Sequence, residues 1–389
     1  MSSRAPRVTV LIETSTSCGK DTVRGVVDYV RSSRPWLISV GWRGVYEQLH
    51  LPRDWRGDGV IARVTSRTLA RQLASLHVPA VNVSWSTVPG SKVPRVSTDD
   101  RVIGRLAAEH FLERGFQHLA YVAHGDLPYY KDRCGPSFAE PVQAAGRWFW
   151  QYRLQPPKHN DKTQFSWSEL AALGRWLEKI PKPVAIFAWD ALHGRLVTDA
   201  CLKLDLRVPE DVSVLVGYND DLMCEIASPP MSGIDDSPYR VGFEAAKLLD
   251  QMMHGALPPK EPTYIPPVGI VVRRSTDTLA LEDPDLKAAI SYIRENANKP
   301  LSVADVLKKV PLSRRMLEYR FVQELGRTPA EEIRLMHLQR ARDLLIKTDL
   351  PIAKIAIASG YTHPEVMSRA FQRELGLSPL AFRRQFRAH

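Results

Sequence analysis

Cysteine is scarce: Cys18, Cys134, Cys201 and Cys224 are the only four in 389 residues. No CxxC pair or Cys/His ligand spacing occurs, which excludes a disulfide scaffold and a zinc module and leaves the thiols as reduced, partly buried side chains. Also missing are an apolar run long enough to span a bilayer and an early segment with a charged start, apolar stretch and small-residue cleavage site. The chain is therefore expected to be soluble and cytoplasmic, with no membrane partner. No GxGxxG or GxxxxGK[ST] follows a strand, neither GxSxG nor HExxH occurs, and the eleven histidines do not cluster. Nucleotide binding, serine hydrolysis and metal catalysis thus lack support. Carboxylate pairs of the kind glycosidases use sit at sheet edges typical of binding clefts. The expectation is a non-enzyme with no catalytic residues, no metal and no cofactor.

What the chain has is length and uneven charge. At 389 residues it exceeds one compact core, so two or three domains are expected. The net charge is +10. Residues 282–389 hold 19 Lys/Arg against 13 Asp/Glu, so more than half of the excess lies in the last third. A solvated helical surface would explain this basicity, but not its coincidence with the motif described below.

From Arg7 onward, β-branched apolar runs alternate with amphipathic stretches. RVTVLIE, WLISV, DGVIAR, PAVNVSW, HLAYVAH, PVAIFAW and DVSVLVGY read as strands. Helices are predicted over Asp21–Ser32, Ser66–Leu76, Asp99–Arg114, Asp190–Leu204 and Pro238–His254. This alternation predicts α/β lobes with parallel sheets covered on both faces. Ligands of such sheets lie at the C-terminal strand ends. There the sequence places Thr16 and Asp21, Trp85, Arg133, Trp189 and Asp190, and Asn219 and Asp220. Carboxylates and amides bonding hydroxyls, an arginine fork and indole faces over C–H bonds suit a neutral polyol such as a sugar. Duller roles exist for each: helix caps for Asp190 and Asp99, core for Trp85 and Trp189, bare surface for Arg133.

The C-terminal segment writes a helix–turn–helix twice, at 301–325 and 350–375. One such unit is common in helical proteins; two in tandem in a basic segment predict an all-α module that reads double-stranded DNA. A boundary at 274–283 separates a receptor, 1–273, from this reader, 284–389. VGIVVRR is expected to be the last receptor strand and STDTLALED a polar connector. Asp283-Pro284 opens a first helix with Leu286, Ala289, Ile290 and Ile293 inward. In unit one, Val303–Val310 precedes a reading helix capped by Ser313, with Met316, Leu317 and Phe321 inward. Arg315, Glu318 and Tyr319 are the candidate base readers, and Arg314 and Arg320 are placed on phosphates. A long helix from Thr328 to about Lys347 ties the units together. In unit two, Gly360 ends the first helix, and His363, Glu365, Arg369 and Arg373 lie outward on the second, Glu365 and Arg369 as readers. Two such helices on one body should enter adjacent major-groove turns, about 34 Å apart. A plain helical bundle is the alternative.

ARDLL, LPIAKIAIASGY and RAFQRELGLSPLAFRR closely resemble the signature of AraC/XylS-family transcription activators, over about residue 282 to the end. RLAAEHFLERGFQHLAYV, RVPEDVSVLVGYND and RVGFEAAKLL are similar to the sugar-binding domain of LacI/GalR regulators and periplasmic sugar-binding proteins, over most of residues 7–273. The fold implied is a two-lobed periplasmic-binding-protein-like receptor ahead of the helical reader. The resemblance implies activation of sugar-catabolism genes, pentose genes among them. It also implies a homodimer on direct-repeat half-sites when sugar closes the cleft, and contact with RNA polymerase by an activator. Arg133, Asp190 and Asn219-Asp220 match the sugar-contacting positions. Such receptors usually carry Asp where Asn219 stands, which moves the acidic anchor to Asp220. His363-Pro364-Glu365 replaces the more common polar amides, so no operator carries over. The competing expectation is a DNA-binding factor whose receptor-like part dimerises or senses a non-sugar ligand.

Overall fold

A computed structural model describes residues 4–41, 49–52, 54–154, 167–281 and 283–386. The chain divides into two compact units, the first holding nearly all residues to Thr278 and the second made of the residues from Leu279 on together with Leu112–Gly115.

In the first unit, β1 (Arg7–Leu11), α1 (Ser17–Ser32), β2 (Leu37–Val40), β3 (Gly59–Ala62), α2 (Arg67–Ser75) and β4 (Ala80–Asn82) alternate as predicted. They build a parallel sheet ordered β2-β1-β3-β4. The chain then passes through β5 (Val96–Thr98) and α3 (Asp100–Leu112). A second lobe follows from β6 (His118–Ala123), α4 (Cys134–Ala144), β7 (Trp148–Arg153), α5 (Trp167–Glu178), β8 (Val184–Ala188), α6 (Ala191–Lys203), β9 (Val212–Val216) and α7 (Asp221–Glu225). Next come β10 (Ser232–Asp235), α8 (Pro238–Met253), which returns to the first lobe, β11 (Thr263–Ile265) and β12 (Gly269–Val271). The second sheet runs β12-β10-β9-β8-β6-β7, parallel except for β12.

Burial explains the strand composition: every residue of β3, β8 and β9 is buried, as apolar runs covered by helices on both faces require. α1 and α8 cross with Gly25 against the Tyr239 carbonyl and Gly242 against the Thr22 carbonyl; a Cβ at either position would strike backbone. That contact sets the start of α1 beside the strand ends.

Three passages between the lobes are tied together. Asp99 N donates to Ile265 O at 2.9 Å, the Thr98 hydroxyl to Asp236 O at 2.7 Å, and the Ser237 hydroxyl to Pro266 O at 2.8 Å. Ser237 holds φ +62°, a left-handed conformation costly for a residue with a Cβ.

Several boundaries differ from expectation. α1 starts at Ser17, not Asp21, because Thr16 caps it by accepting from Gly19 N at 3.0 Å. The connector is shorter than 274–283: Ser275 and Thr276 are fully buried, with Ser275 Oγ donating to Val214 O at 2.5 Å and accepting from Ser232 N at 2.8 Å. Leu281, near its far end, is buried in the reader's core; Glu282 lies outside the described residues.

The second unit contains α9 (Pro284–Glu295), α10 (Val303–Leu307), α11 (Arg314–Leu325), α12 (Pro329–Lys347), α13 (Ile352–Ala358), α14 (Pro364–Leu375) and α15 (Pro379–Phe386). Its caps are local and strong. Asp283 accepts from Asp285 N and Leu286 N, Ser302 and Thr328 form reciprocal capping boxes, and Ser313 accepts from Met316 N. Each is worth about 1 kcal/mol. α10 stops at Leu307, short of the predicted Val310. Gly326 and Gly376 end α11 and α14 in the left-handed region, at φ +69° and +67°.

The predicted inward face of α9 is fully buried. α12 gives Ile333 to the core under the first helix–turn–helix and Leu338, Ala341 and Leu345 to that under the second. One helix thus packs under both helix–turn–helix repeats. Met316 departs from its expected inward place and is 42% exposed, because Leu317, Phe321 and Leu325 already fill the buried stripe.

Candidate functional site

Strand ends from both lobes of the first unit converge on a small pocket that opens to solvent. Arg63 follows β3, Trp85 lies beyond β4, Asp100 opens α3, Tyr218 follows β9 and Asp236 follows β10. A second pocket, also open to solvent, shares Trp85, Ser97, Thr98 and Asp100 and adds Arg95, Lys131, Arg133 and Tyr264.

Two residues that line the first pocket, Arg63 and Asp236, carry buried polar atoms without protein partners. The Arg63 guanidinium is ion-paired to Glu13, donates to the Cys18 sulfur at 3.5 Å and lies 4.6 Å from the Trp85 ring centre. Its Nε nevertheless has no hydrogen-bond partner, and neither does Asp236 Oδ1. Asp236 is 3% exposed. A buried polar atom left unpaired costs about 1–3 kcal/mol, so both atoms favour any ligand that supplies partners.

Burial, reinforced by Asp235, pushes the Asp236 carboxyl up to about 8. At neutral pH it is largely protonated and able both to donate and to accept. Burial also lifts Asp100 to about 6, against the Tyr218 hydrogen bond and Arg133; the Tyr218 hydroxyl donates to it at 2.9 Å. Desolvation lowers Arg63 to about 10, leaving it charged at neutral pH. Burial holds the Cys18 thiol well above its usual range, which makes it a weak nucleophile.

One wall is aromatic. Trp85 meets Trp189 edge to face at 5.9 Å, Trp189 meets Tyr218 at 5.3 Å, and the Trp189 indole N–H donates to the Tyr130 hydroxyl at 2.9 Å. A site that combines an indole face, a neutral carboxylic acid and a guanidinium recognises a polyol ring by its hydroxyls and its C–H face.

The expected ligand residues divide sharply. Trp85 lines both cavities and Arg133 the second, where its Nη1 donates to the Tyr264 hydroxyl at 2.6 Å. Trp189 stands behind Trp85 as part of the wall. The other five line neither cavity, because each is engaged elsewhere. Thr16 caps α1, and Asp21 pairs with Arg24 one turn along the helix. Asp190 caps α6 and binds His193 Nδ1 at 2.5 Å; burial raises its carboxyl, but the His193 contacts outweigh this and hold it below the usual range. Asn219 accepts from Arg273 Nη1 at 3.0 Å and donates to Asp221 at 2.7 Å. Asp220 caps α7 and accepts from Ser17 N of the first lobe at 2.9 Å, so its carboxylate ties the lobes together.

Sequence reasoning missed Arg63, Asp100, Asp236, Tyr218, Arg95 and Tyr264. Two signals were available: Arg63 ends a wholly apolar strand, and Asp235-Asp236 stands at a strand end before a helix, as Asn219-Asp220 does.

In the second unit, Arg314, Arg315 and Tyr319 are exposed on α11, Tyr319 by 61%. Glu318 is held by Arg314 at 3.0 Å. Arg320, expected on phosphate, is instead ion-paired with Asp283 at 2.7 Å and Asp285 at 3.6 Å. It clamps α11 to the start of α9. On α14, His363, Glu365, Arg369 and Arg373 are exposed; His363 is the N-cap without a side-chain bond, and Arg373 pairs with Glu374 at 2.7 Å. The two reading helices thus present basic outer faces over buried apolar stripes.

A two-lobed cleft receptor joined to a doubled helix–turn–helix defines a ligand-sensing, DNA-binding transcription regulator. Residues 108–276 match the family of periplasmic binding protein-like domains, and residues 306–385 match a helix-turn-helix domain family. The chain is similar along its length to the xylose operon regulatory proteins of Escherichia coli K12, at 29% identity over 98% of both chains, and of Haemophilus influenzae, at 26% over 97% of this chain and 98% of that one. Among solved structures it is similar to a xylose-binding transcription activator, at 27% identity and a TM-score of 0.63 over all of both chains. These relatives are transcription regulators, not enzymes. No helix of the described residues is long and apolar enough to cross a membrane.

Proposed function

We propose that the chain is a cytoplasmic, non-enzymatic activator of sugar-catabolism genes, its effector a sugar bound between the receptor lobes. The observation that carries this reading is the pair of buried atoms without protein partners, Arg63 Nε and Asp236 Oδ1, on residues that line one pocket with Trp85. The xylose regulators it is similar to make a pentose the first class to test, xylose among them. Asp100, which lines both pockets, and Arg133, which lines the second, add an acceptor and a donor.

Sugar that contacts both lobes binds the closed receptor more tightly than the open one, and only that difference in affinity shifts the population. The closed form of a homodimer then presents its readers to direct-repeat half-sites and to RNA polymerase. Arg315 and Tyr319 in the first helix–turn–helix, and Glu365 and Arg369 in the second, read base edges. Arg314 and Arg373 hold phosphates.

Thermal unfolding of the intact protein during titration with pentoses and hexoses tests the sensing half. A sugar at a hundred times its dissociation constant should add about 2.7 kcal/mol. An unfolding curve that no sugar moves would remove this reading.

A further inference from the structure

The second pocket beside Trp85 has an excess of cations that its neighbour lacks. Arg95, Lys131 and Arg133 line it against one carboxylate, Asp100, and that carboxylate accepts from Tyr218. The nearby Asp132 turns away, accepting from the Tyr121 hydroxyl at 3.3 Å and Gly135 N at 3.0 Å. Among the described residues none of the three cations forms an ion pair. Two of them are drawn together: Arg95 Nη2 and Arg133 Nη1 both donate to the Tyr264 oxygen, at 2.9 and 2.6 Å. Their guanidinium carbons lie 5.7 and 5.5 Å from its ring centre.

Two guanidiniums converging on one neutral oxygen repel each other, and an anion between their forks turns that repulsion into paired charge-assisted hydrogen bonds. Arg95 is already fixed for this. Its Nη1 donates to Trp85 O at 3.2 Å, Ser86 O at 3.5 Å and Thr87 Oγ1 at 2.8 Å. Arg95 leads into β5 of the first lobe, whereas Arg133 immediately precedes α4 of the second. An anion gripped by both links the lobes.

We infer that the effector is a sugar carrying an anionic group, a carboxylate or a phosphate. Its ring lies by Trp85, Arg63 and Asp236, and its anion lies among Arg95, Arg133 and Lys131. This rests on the sugar reading above, and it makes the ligand span two cavities that share Trp85, Ser97, Thr98 and Asp100.

Calorimetric titration of the intact chain with xylose, glucose, glucuronate, glucose 6-phosphate and inorganic phosphate tests it. One charged sugar should bind at least about tenfold more tightly than both neutral ones, with an affinity that falls as ionic strength rises. The glucuronate and glucose 6-phosphate arms tell a carboxylate from a phosphate. Arg95→Met and, independently, the exposed Lys131→Gln should each shrink the charged-to-neutral preference. A neutral sugar that binds as tightly as its charged counterparts, with no salt dependence, overturns the inference and leaves the sugar reading intact. Phosphate binding without any sugar overturns the single spanning ligand. Silence from every sugar, in protein shown to be folded, overturns the inference together with the reading beneath it.

Discussion

The cleft and the reading surface use charge in opposite ways. In the cleft, Arg63, Asp100 and Asp236 are buried, and two of their polar atoms stand unpaired. On α11 and α14 most charges are exposed and some pair with near neighbours, Arg314 with Glu318 and Arg373 with Glu374. Exposed pairs of this kind are worth about 0–1 kcal/mol, so DNA phosphates can replace them cheaply. Buried unpaired atoms cost far more, and only a ligand of matching shape relieves them. Selectivity for the small molecule is therefore concentrated in a few atoms, whereas affinity for DNA is spread over many.

If that contrast holds, the largest effect of a single substitution should come from the cleft. Asp236→Val leaves a sugar hydroxyl facing an apolar wall and should weaken sugar binding by roughly a hundredfold, about 3 kcal/mol, as read by calorimetry. The same variant sharpens the electrostatic side. Because the folded Asp236 carboxyl is raised to about 8, its contribution to stability is fully present below the ordinary carboxylate range. It is lost as pH rises from that range through about 8. Urea midpoints at pH 5, 7 and 9 should fall with pH more steeply in the parent chain than in Asp236→Val; equal slopes would contradict the buried, raised carboxyl.

On the reading surface, Arg315→Ala should cost about 1–3 kcal/mol at one base pair and relax preference there, measured on a panel of single-base operator variants. Equal loss on every sequence would contradict a reading role. Arg320→Ala should act on the fold, since its partners are Asp283 and Asp285. The pair is part-exposed, so the loss is at most about 1 kcal/mol of reader stability, seen in denaturant unfolding, with the salt dependence of DNA binding unchanged. The smallest effect belongs to Arg373→Ala: binding weakens alike on all sequences, and the slope of log affinity against log salt falls by about one.

Legibility in the sequence followed the range of the interactions. Reader elements were readable because their determinants are local: Asp283, Ser302, Ser313 and Thr328 cap within three residues, and the α9 stripe repeats with helical spacing. Strands β1, β3, β6, β8 and β9 were equally plain as apolar runs. β7, carrying Trp148 and Trp150 at a sheet edge, and the three-residue β5 and β11 escaped because neither alternation nor length marked them. The cleft was legible as a place more than as residues. Strand ends identified Trp85, Trp189 and Arg133, but Asn219 was drawn away by Arg273, 54 positions on, and Arg320 by Asp283, 37 positions back. No local pattern records such partners. Asp236 shares its pocket with Arg63, more than 170 residues away along the chain.

The central claim is that a ligand in the cleft decides how tightly the tail grips DNA. It is tested most directly by fluorescence anisotropy of the intact protein on a genomic fragment that it selects, at one ionic strength, with and without saturating sugar. The account predicts tighter binding with sugar in the parent chain and, at the same sugar concentration, a much smaller sugar effect in Asp236→Val. Identical affinity with and without every sugar that binds, in the parent chain itself, would contradict it.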